Sequence, residues 1–170
     1  MQNFNQMRDL IVIFFKKIFL PIQFLIYNPS FLLIFTLISV YIHINYRYSI
    51  SDHNEQIPII MRVIDGTYLI NDWFVNQNIN FSPRFFYSVV LGNLSKIFGI
   101  PLTYYLIYIV VIFILTYSIY RLSILIFDIK IIPIVVVFLV FFLPRTSLGS
   151  NWIIETILVP ATIAKALFIL

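Results

Sequence analysis

From Leu10 to Leu170 long apolar blocks follow one another with brief polar interruptions, and only residues 47–84 form an extended polar stretch. The first block, "LIVIFFKKIFLPIQFLIY" at 10–27, carries Lys16 and Lys17 in its middle and Pro21 soon after. A lysine at the centre of a bilayer costs about 2.5 to 3.5 kcal/mol. Residues 1–30 therefore read as a cytoplasmic interfacial segment whose lysines snorkel to the headgroups. Asn28 and Pro29 supply a helix start, the asparagine as cap and the proline where its missing N–H is harmless. The first transmembrane helix follows over 31–46, with Tyr41, Tyr46 and Tyr48 at its outer end.

Residues 47–100 read as an outer loop containing helices that lie on the membrane or re-enter it. Ile59, Ile60, Val63 and Ile64 recur at helical spacing with Arg62 and Asp65 on the opposite face, Pro58 suits the first turn, and Gly66 marks an end. "FFYSVVLGNLSKIFG" at 85–99 is short and holds Gly92, Asn93, Ser95 and Lys96, which fits a surface-lying or re-entrant helix better than a span. Residues 101–170 supply further spans. Pro101 to Tyr120 crosses inward, placing Arg121 and Lys130 in the cytoplasm, and Ile131 to Leu143 returns. A short outer loop at 144–151 then leads into "WIIETILVPATIAKALFIL", inside which the sequence stops. The pattern predicts an all-α, polytopic helical membrane protein with three to five membrane segments, represented here by its front portion.

Composition points the same way. Hydrophobic residues make up 61% of the 170 residues and charged ones 11%, against roughly 25% charge in soluble domains, and mean hydropathy is +0.99. Lipid has to serve as solvent for most of such a chain. Charge sets the orientation: the first thirty residues carry Arg8, Lys16 and Lys17 against Asp9, whereas 47–84 carry Arg47, Arg62 and Arg84 against Asp52, Glu55, Asp65 and Asp72. The positive-inside tendency places the N-terminus in the cytoplasm and the loop outside. No basic stripe suits nucleic acid. The chain has no cysteine, which excludes disulfides and thiolate chemistry. His43 and His53 stand alone, one in an apolar run and one in a polar loop, and neither reads as a metal ligand.

Phosphate-binding glycine loops, zinc-protease pairs and nucleophile elbows are all missing. What remains is the loop. Asp65 and Asp72 are seven apart, which on a continuous helix puts both carboxylates on one face, although Gly66 and Asn71 argue against continuity. Carboxylates at a membrane surface can hold a divalent cation against a phosphate or accept a proton from an attacking hydroxyl. Tyr68 lies beside them, and Arg84 offers a planar fork to a phosphate. Glu155 in the last apolar segment is an intramembrane acid and a further substrate-binding candidate. The plainer alternative is that the acids keep the loop in water while Trp73, Phe74 and Tyr87 anchor it in the headgroups.

The order of parts resembles the start of the GT-C class of integral-membrane glycosyltransferases, including the protein mannosyltransferase and aminoarabinose transferase relatives. The matching pieces are Asp65 with Tyr68, then Pro83, Phe85, Phe86 and Tyr87, and finally Phe98 and Gly99 before the next span; "YLINDWFV" offers Asp72 as a second candidate for the loop acid. The chain departs from the familiar acidic pair, since Gly66 follows Asp65. The resemblance implies transfer of a sugar from a polyprenyl-phosphate donor at the outer face, with the first-loop aspartate as base or metal ligand. It also implies more spans than this chain contains, hence a further C-terminal portion or a partner subunit. Two other classes stay open: a non-catalytic membrane subunit or fragment, and a transporter or flippase component. The last would place polar groups at mid-depth, where the interiors of 101–120 and 131–143 offer Thr116, Ser118 and Pro133.

Overall fold

A computed structural model describes residues 29–41, 46–80, 82, 84–127, 131–142, 154 and 156–170. The interfacial segment at 1–28, the outer loop at 144–151, Lys130 and Glu155 lie outside the described residues. Among those described, every regular element is helical, as the sequence pattern predicts. The helices are α1 (Pro29–Ser39), α2 (His53–Ile64), α3 (Trp73–Ile79), α4 (Phe85–Phe98), α5 (Ile100–Ile126), α6 (Ile132–Phe142) and α7 (Pro160–Ile169).

The 27-residue α5 organises the rest. It packs against α1, α4, α6 and α7, while α2 packs on α4 and carries α3. Its turns are apolar all round, and only 39% of its most apolar 18-residue window is buried by the protein itself. Leu102, Leu106 and Val110, one turn apart, are exposed. A helix that is apolar on every side, yet left uncovered by protein, suits lipid. Among the described residues α5 alone is long and apolar enough to cross a membrane; α1 and α6 have 11 residues each and α7 has 10. Of the three to five membrane segments read from the sequence, the described residues thus show one helix of spanning length, and the other apolar helices are shorter.

Four boundaries differ from the sequence reading. The loop helix starts at His53, so that Pro58 lies inside it rather than in its first turn. The helix expected over Pro101 to Tyr120 runs on to Ile126, because Arg121 projects from the exposed side of α5 and does not end it. The last apolar block is not one helix: α7 begins only at Pro160, and Val159 before it is extended, as the residue preceding a proline tends to be. At the outer end of α1 the α-helix stops at Ser39, and Tyr46 is already outside any helix.

Two glycines shape the packing. Gly99 joins α4 to α5 at φ 78° and ψ 156°, a region that only glycine occupies readily. Replacing Gly99 with alanine should therefore destabilise the helix pair by about 1 to 3 kcal/mol, measured as a shift in unfolding midpoint in detergent. Gly92 lies at the α2–α4 contact, on the same buried face as Ser88, Leu91 and Ser95. A Cβ there would sit 2.6 Å from Val63 Cγ1 and 2.9 Å from Val63 Cβ. The hydroxyls of Thr116, Ser118 and Ser123 donate to Ile112, Ile114 and Ile119 carbonyls on α5 itself, at 2.7, 2.7 and 2.8 Å. These hydroxyls are satisfied locally by their own helix, so they do not mark a polar path through the span.

Candidate functional site

The loop acids and arginines do not form one cluster. Between α2 and α3 the chain turns through residues 65–71, with Leu69 at φ 49°. This break removes the continuous helix on which a spacing of seven would align Asp65 with Asp72. Asp65 instead ends α2. Its Oδ1 accepts from the Thr67 hydroxyl at 2.7 Å and the Thr67 amide at 2.9 Å. Those two bonds, with the Arg62 charge in support, hold its carboxyl below the usual carboxylate range. Asp72 caps α3, where its Oδ1 accepts from the Val75 amide at 2.8 Å. The side chain thereby satisfies one of the orphan amides of the first turn.

Arg84 meets neither aspartate. Its Nη1 donates to Glu55 Oε2 at 2.6 Å, and the two side chains are 34% and 56% exposed. A pair this wet contributes about 0 to 1 kcal/mol, yet it ties the start of α4 to α2. Tyr68 is half-buried and is held through its backbone: its amide donates to the Asp65 carbonyl at 3.1 Å, and its own carbonyl accepts from Arg62 Nη1 at 2.9 Å. Glu155 lies outside the described residues. Its neighbours do not: Ile154 is buried, and the Thr156 carbonyl accepts from the Arg47 amide at 2.9 Å.

What these local bonds leave is a cleft of about 340 Å³ between α2, the 65–71 turn and α3. Asn54, Glu55 and Asp72 line its polar side, and Pro58, Leu69 and Phe74 its apolar side. Glu55, which no sequence motif singles out, thus shares a cleft with Asp72 and holds Arg84 at the same time. Among the described residues no group of three or more His, Cys, Asp or Glu side chains is placed to hold a metal ion.

A second, buried polar cluster joins the loop to the end of the chain. His53 is fully buried at the start of α2. Its Nδ1 accepts from the Ser49 amide at 3.1 Å, so the ring proton sits on Nε2 and is donated to the Leu158 carbonyl at 3.0 Å. The Tyr87 hydroxyl donates toward the same carbonyl at 3.1 Å and toward Gln56 Oε1 at 3.0 Å. The His53 ring stands edge-on to Tyr104 at 4.6 Å, while Tyr46 packs on Tyr108 at 4.6 Å and on Tyr105 at 5.6 Å. Segments 46–51 and 156–159, with the first turn of α2, therefore meet at the N-terminal end of α5. Burial lowers the His53 pKa, against the opposing pull of the Leu158 carbonyl and the Asp52 charge.

The sequence reading weighed His53 only as a metal ligand, and its plainer alternative has Tyr87 among the headgroup anchors; Tyr87 is bonded into this cluster, and of the three aromatics in that alternative Trp73 is strongly exposed. A signal was there. Carrying the helical stripe of Ile60 and Val63 back through Gln56 to His53 puts a glutamine and a histidine on the buried face. No protein-family model matches the chain, and no curated protein or solved structure matches it significantly.

Proposed function

We propose that the chain is the N-terminal part of a multi-pass membrane glycosyltransferase of the GT-C kind, which transfers a sugar from a polyprenyl-phosphate donor at the outer face, its N-terminus in the cytoplasm. The observation that carries this reading is the cleft that Asp72 and Glu55 line on the unit formed by α2, α3 and α4, with Arg84 bound to Glu55 from the start of α4. That unit is joined to the N-terminal end of the one long apolar helix. Asp72 is the preferred loop acid, since it lines the cleft whereas Asp65, exposed and bonded to Thr67, does not. In this reading Asp72 would accept the acceptor's proton or share a divalent cation with Glu55, and Arg84 would turn its fork from Glu55 to the donor phosphate. Asp65, Tyr68 and Arg62 then hold the 65–71 turn beside the cleft.

A second reading, a non-catalytic membrane subunit, draws on a specific observation: Asp65, Asp72 and Arg84 each already make a bond that maintains local structure. Two variants at one position separate the readings. Asparagine caps a helix about as well as aspartate, whereas alanine loses about 1 kcal/mol. Asp72→Asn should therefore leave stability unchanged while reducing the magnesium-dependent binding of undecaprenyl phosphate, measured by native mass spectrometry of the chain in nanodiscs with and without magnesium, at least tenfold. Equal binding by wild type and Asp72→Asn would leave the aspartate as a cap and favour the subunit reading.

A further inference from the structure

We propose that His53 is an acid-released clasp on the 46–51 turn: its neutral ring holds the turn closed, and the imidazolium lets it go. This inference is independent of the glycosyltransferase reading, and it starts from the two ring nitrogens, which have opposite jobs. Nε2 donates to the Leu158 carbonyl, and Nδ1 accepts from the Ser49 amide. Adding a proton leaves the first bond intact. The second is abolished, because an imidazolium has no acceptor and its Nδ1–H would face the Ser49 N–H.

The turn so released is under conformational load. Ser49 and Ser51 both lie in the left-handed region, at φ 59° and 49°, where residues with a Cβ persist only when their surroundings hold them. The Ser49 bond to His53 is one such restraint; the Ser51 hydroxyl meets the Asp52 carboxylate at 3.3 Å. Two residues before Ser49, the Arg47 amide donates to the Thr156 carbonyl. Once Ser49 is free, the turn can relax toward ordinary backbone angles and the Arg47–Thr156 bond goes with it. Segment 156–159 stays attached through Leu158, so acid opens one side of the junction and spares the other.

Among the described residues, groups face His53 from each element packed on it. Tyr48 comes from the turn itself, Asp52 from the residue before α2, Tyr87 from α4 and Tyr104 from α5, and segment 156–159 contributes the Leu158 carbonyl. Only Asp52 brings a charge, and it favours the imidazolium. The tyrosines are neutral across the range concerned. Among the described residues no second base faces the ring.

The test is hydrogen exchange of the 46–52 backbone amides in the whole chain reconstituted in nanodiscs, from about pH 8 to about pH 4.5, each rate normalised to its intrinsic value. Protection should be constant above an ordinary histidine pKa of about 6.5 and then fall about tenfold per pH unit as opening takes up one proton. His53→Gln, which can accept and donate at any pH, should show no such fall. A flat wild-type profile overturns the proposal, and so does a fall that persists in His53→Gln, which would assign it to Asp52. Should His53→Gln not fold, nitrogen-15 spectra decide. The chain has two histidines, so His43→Gln leaves His53 alone in the spectrum. The Nε2–H tautomer with a titration midpoint below about 6.5 supports the clasp; the Nδ1–H tautomer, or a midpoint at or above that value, overturns it.

Discussion

Replacing His53 with alanine is expected to lower the free energy of unfolding by about 3 to 4 kcal/mol, the largest loss at any polar position of the loop. Two effects combine. The Ser49 amide loses its acceptor and the Leu158 carbonyl loses one of its two donors, and stranding a buried polar group costs about 1 to 3 kcal/mol. The missing ring also leaves a void against Tyr104 and Tyr48, which adds the usual penalty for an unfilled core site. Denaturant titration in mild detergent measures the sum; a loss below about 1 kcal/mol would mean that water enters and replaces both bonds. The wild-type stability should itself depend on pH in a defined direction. Burial lowers the folded-state pKa of His53, so the unfolded chain binds the proton more readily. The contribution of the neutral ring is fully present above about pH 6.5 and is lost as pH falls from there through the folded-state value.

The second large effect belongs to Gly92. A leucine there should cost about 3 kcal/mol or more and separate α2 from α4. The first added carbon already overlaps Val63 at its branch point, and a Cβ is not a flexible end that can swing aside. Relief therefore requires the helices to move apart, uncovering Ile59 and Ile60, both with no exposed surface. The gain in helix propensity on leaving glycine, about 1 kcal/mol, offsets part of the clash but not the lost contact. Val63→Ala should recover part of the loss in the double variant, because it removes the carbon that Gly92→Leu meets. Additive losses in that double variant would place the damage somewhere other than this contact.

The helical class and the positions of most elements were legible because apolar periodicity is local. Ile59, Ile60 and Val63 announce α2 within one turn of one another, and the apolar run from Ile100 announces α5. Boundaries were less legible where a conspicuous residue stood for an end. Pro58 resembled a helix start and Arg121 a helix stop, yet proline is tolerated inside α2 and arginine can point outward from α5. The start of α7 was readable in principle, because Val159 precedes Pro160 and such residues avoid helical angles.

The site was less legible still. Asp65, Asp72 and Arg84 are near in sequence, but each finds a closer partner than the others: Thr67, the first turn of α3, and Glu55. Proximity along a chain says little about contact once a turn intervenes. The His53–Leu158 bond links residues 105 apart, and nothing local in either segment marks the other. A backbone carbonyl, moreover, has no signature in sequence at all.

The length of α5 also fixes a height. At 1.5 Å per residue its 27 residues make a rod of about 40 Å, and a hydrocarbon core is about 30 Å thick. Standing upright, the rod has about 10 Å to spare. Its first turns meet the loop and the 156–159 strap, where Thr103, Tyr104 and Tyr108 are buried; near the other end Tyr120 and Ser123 are buried while Leu122, Leu125 and Ile126 are bare. In the proposed function the surplus would belong at the N-terminal end, which carries the loop, and α5 would act as a post lifting the cleft toward the level of lipid phosphates. Shortening it by one turn near Tyr117 would lower that platform by about 5 Å, to the depth of the acyl chains.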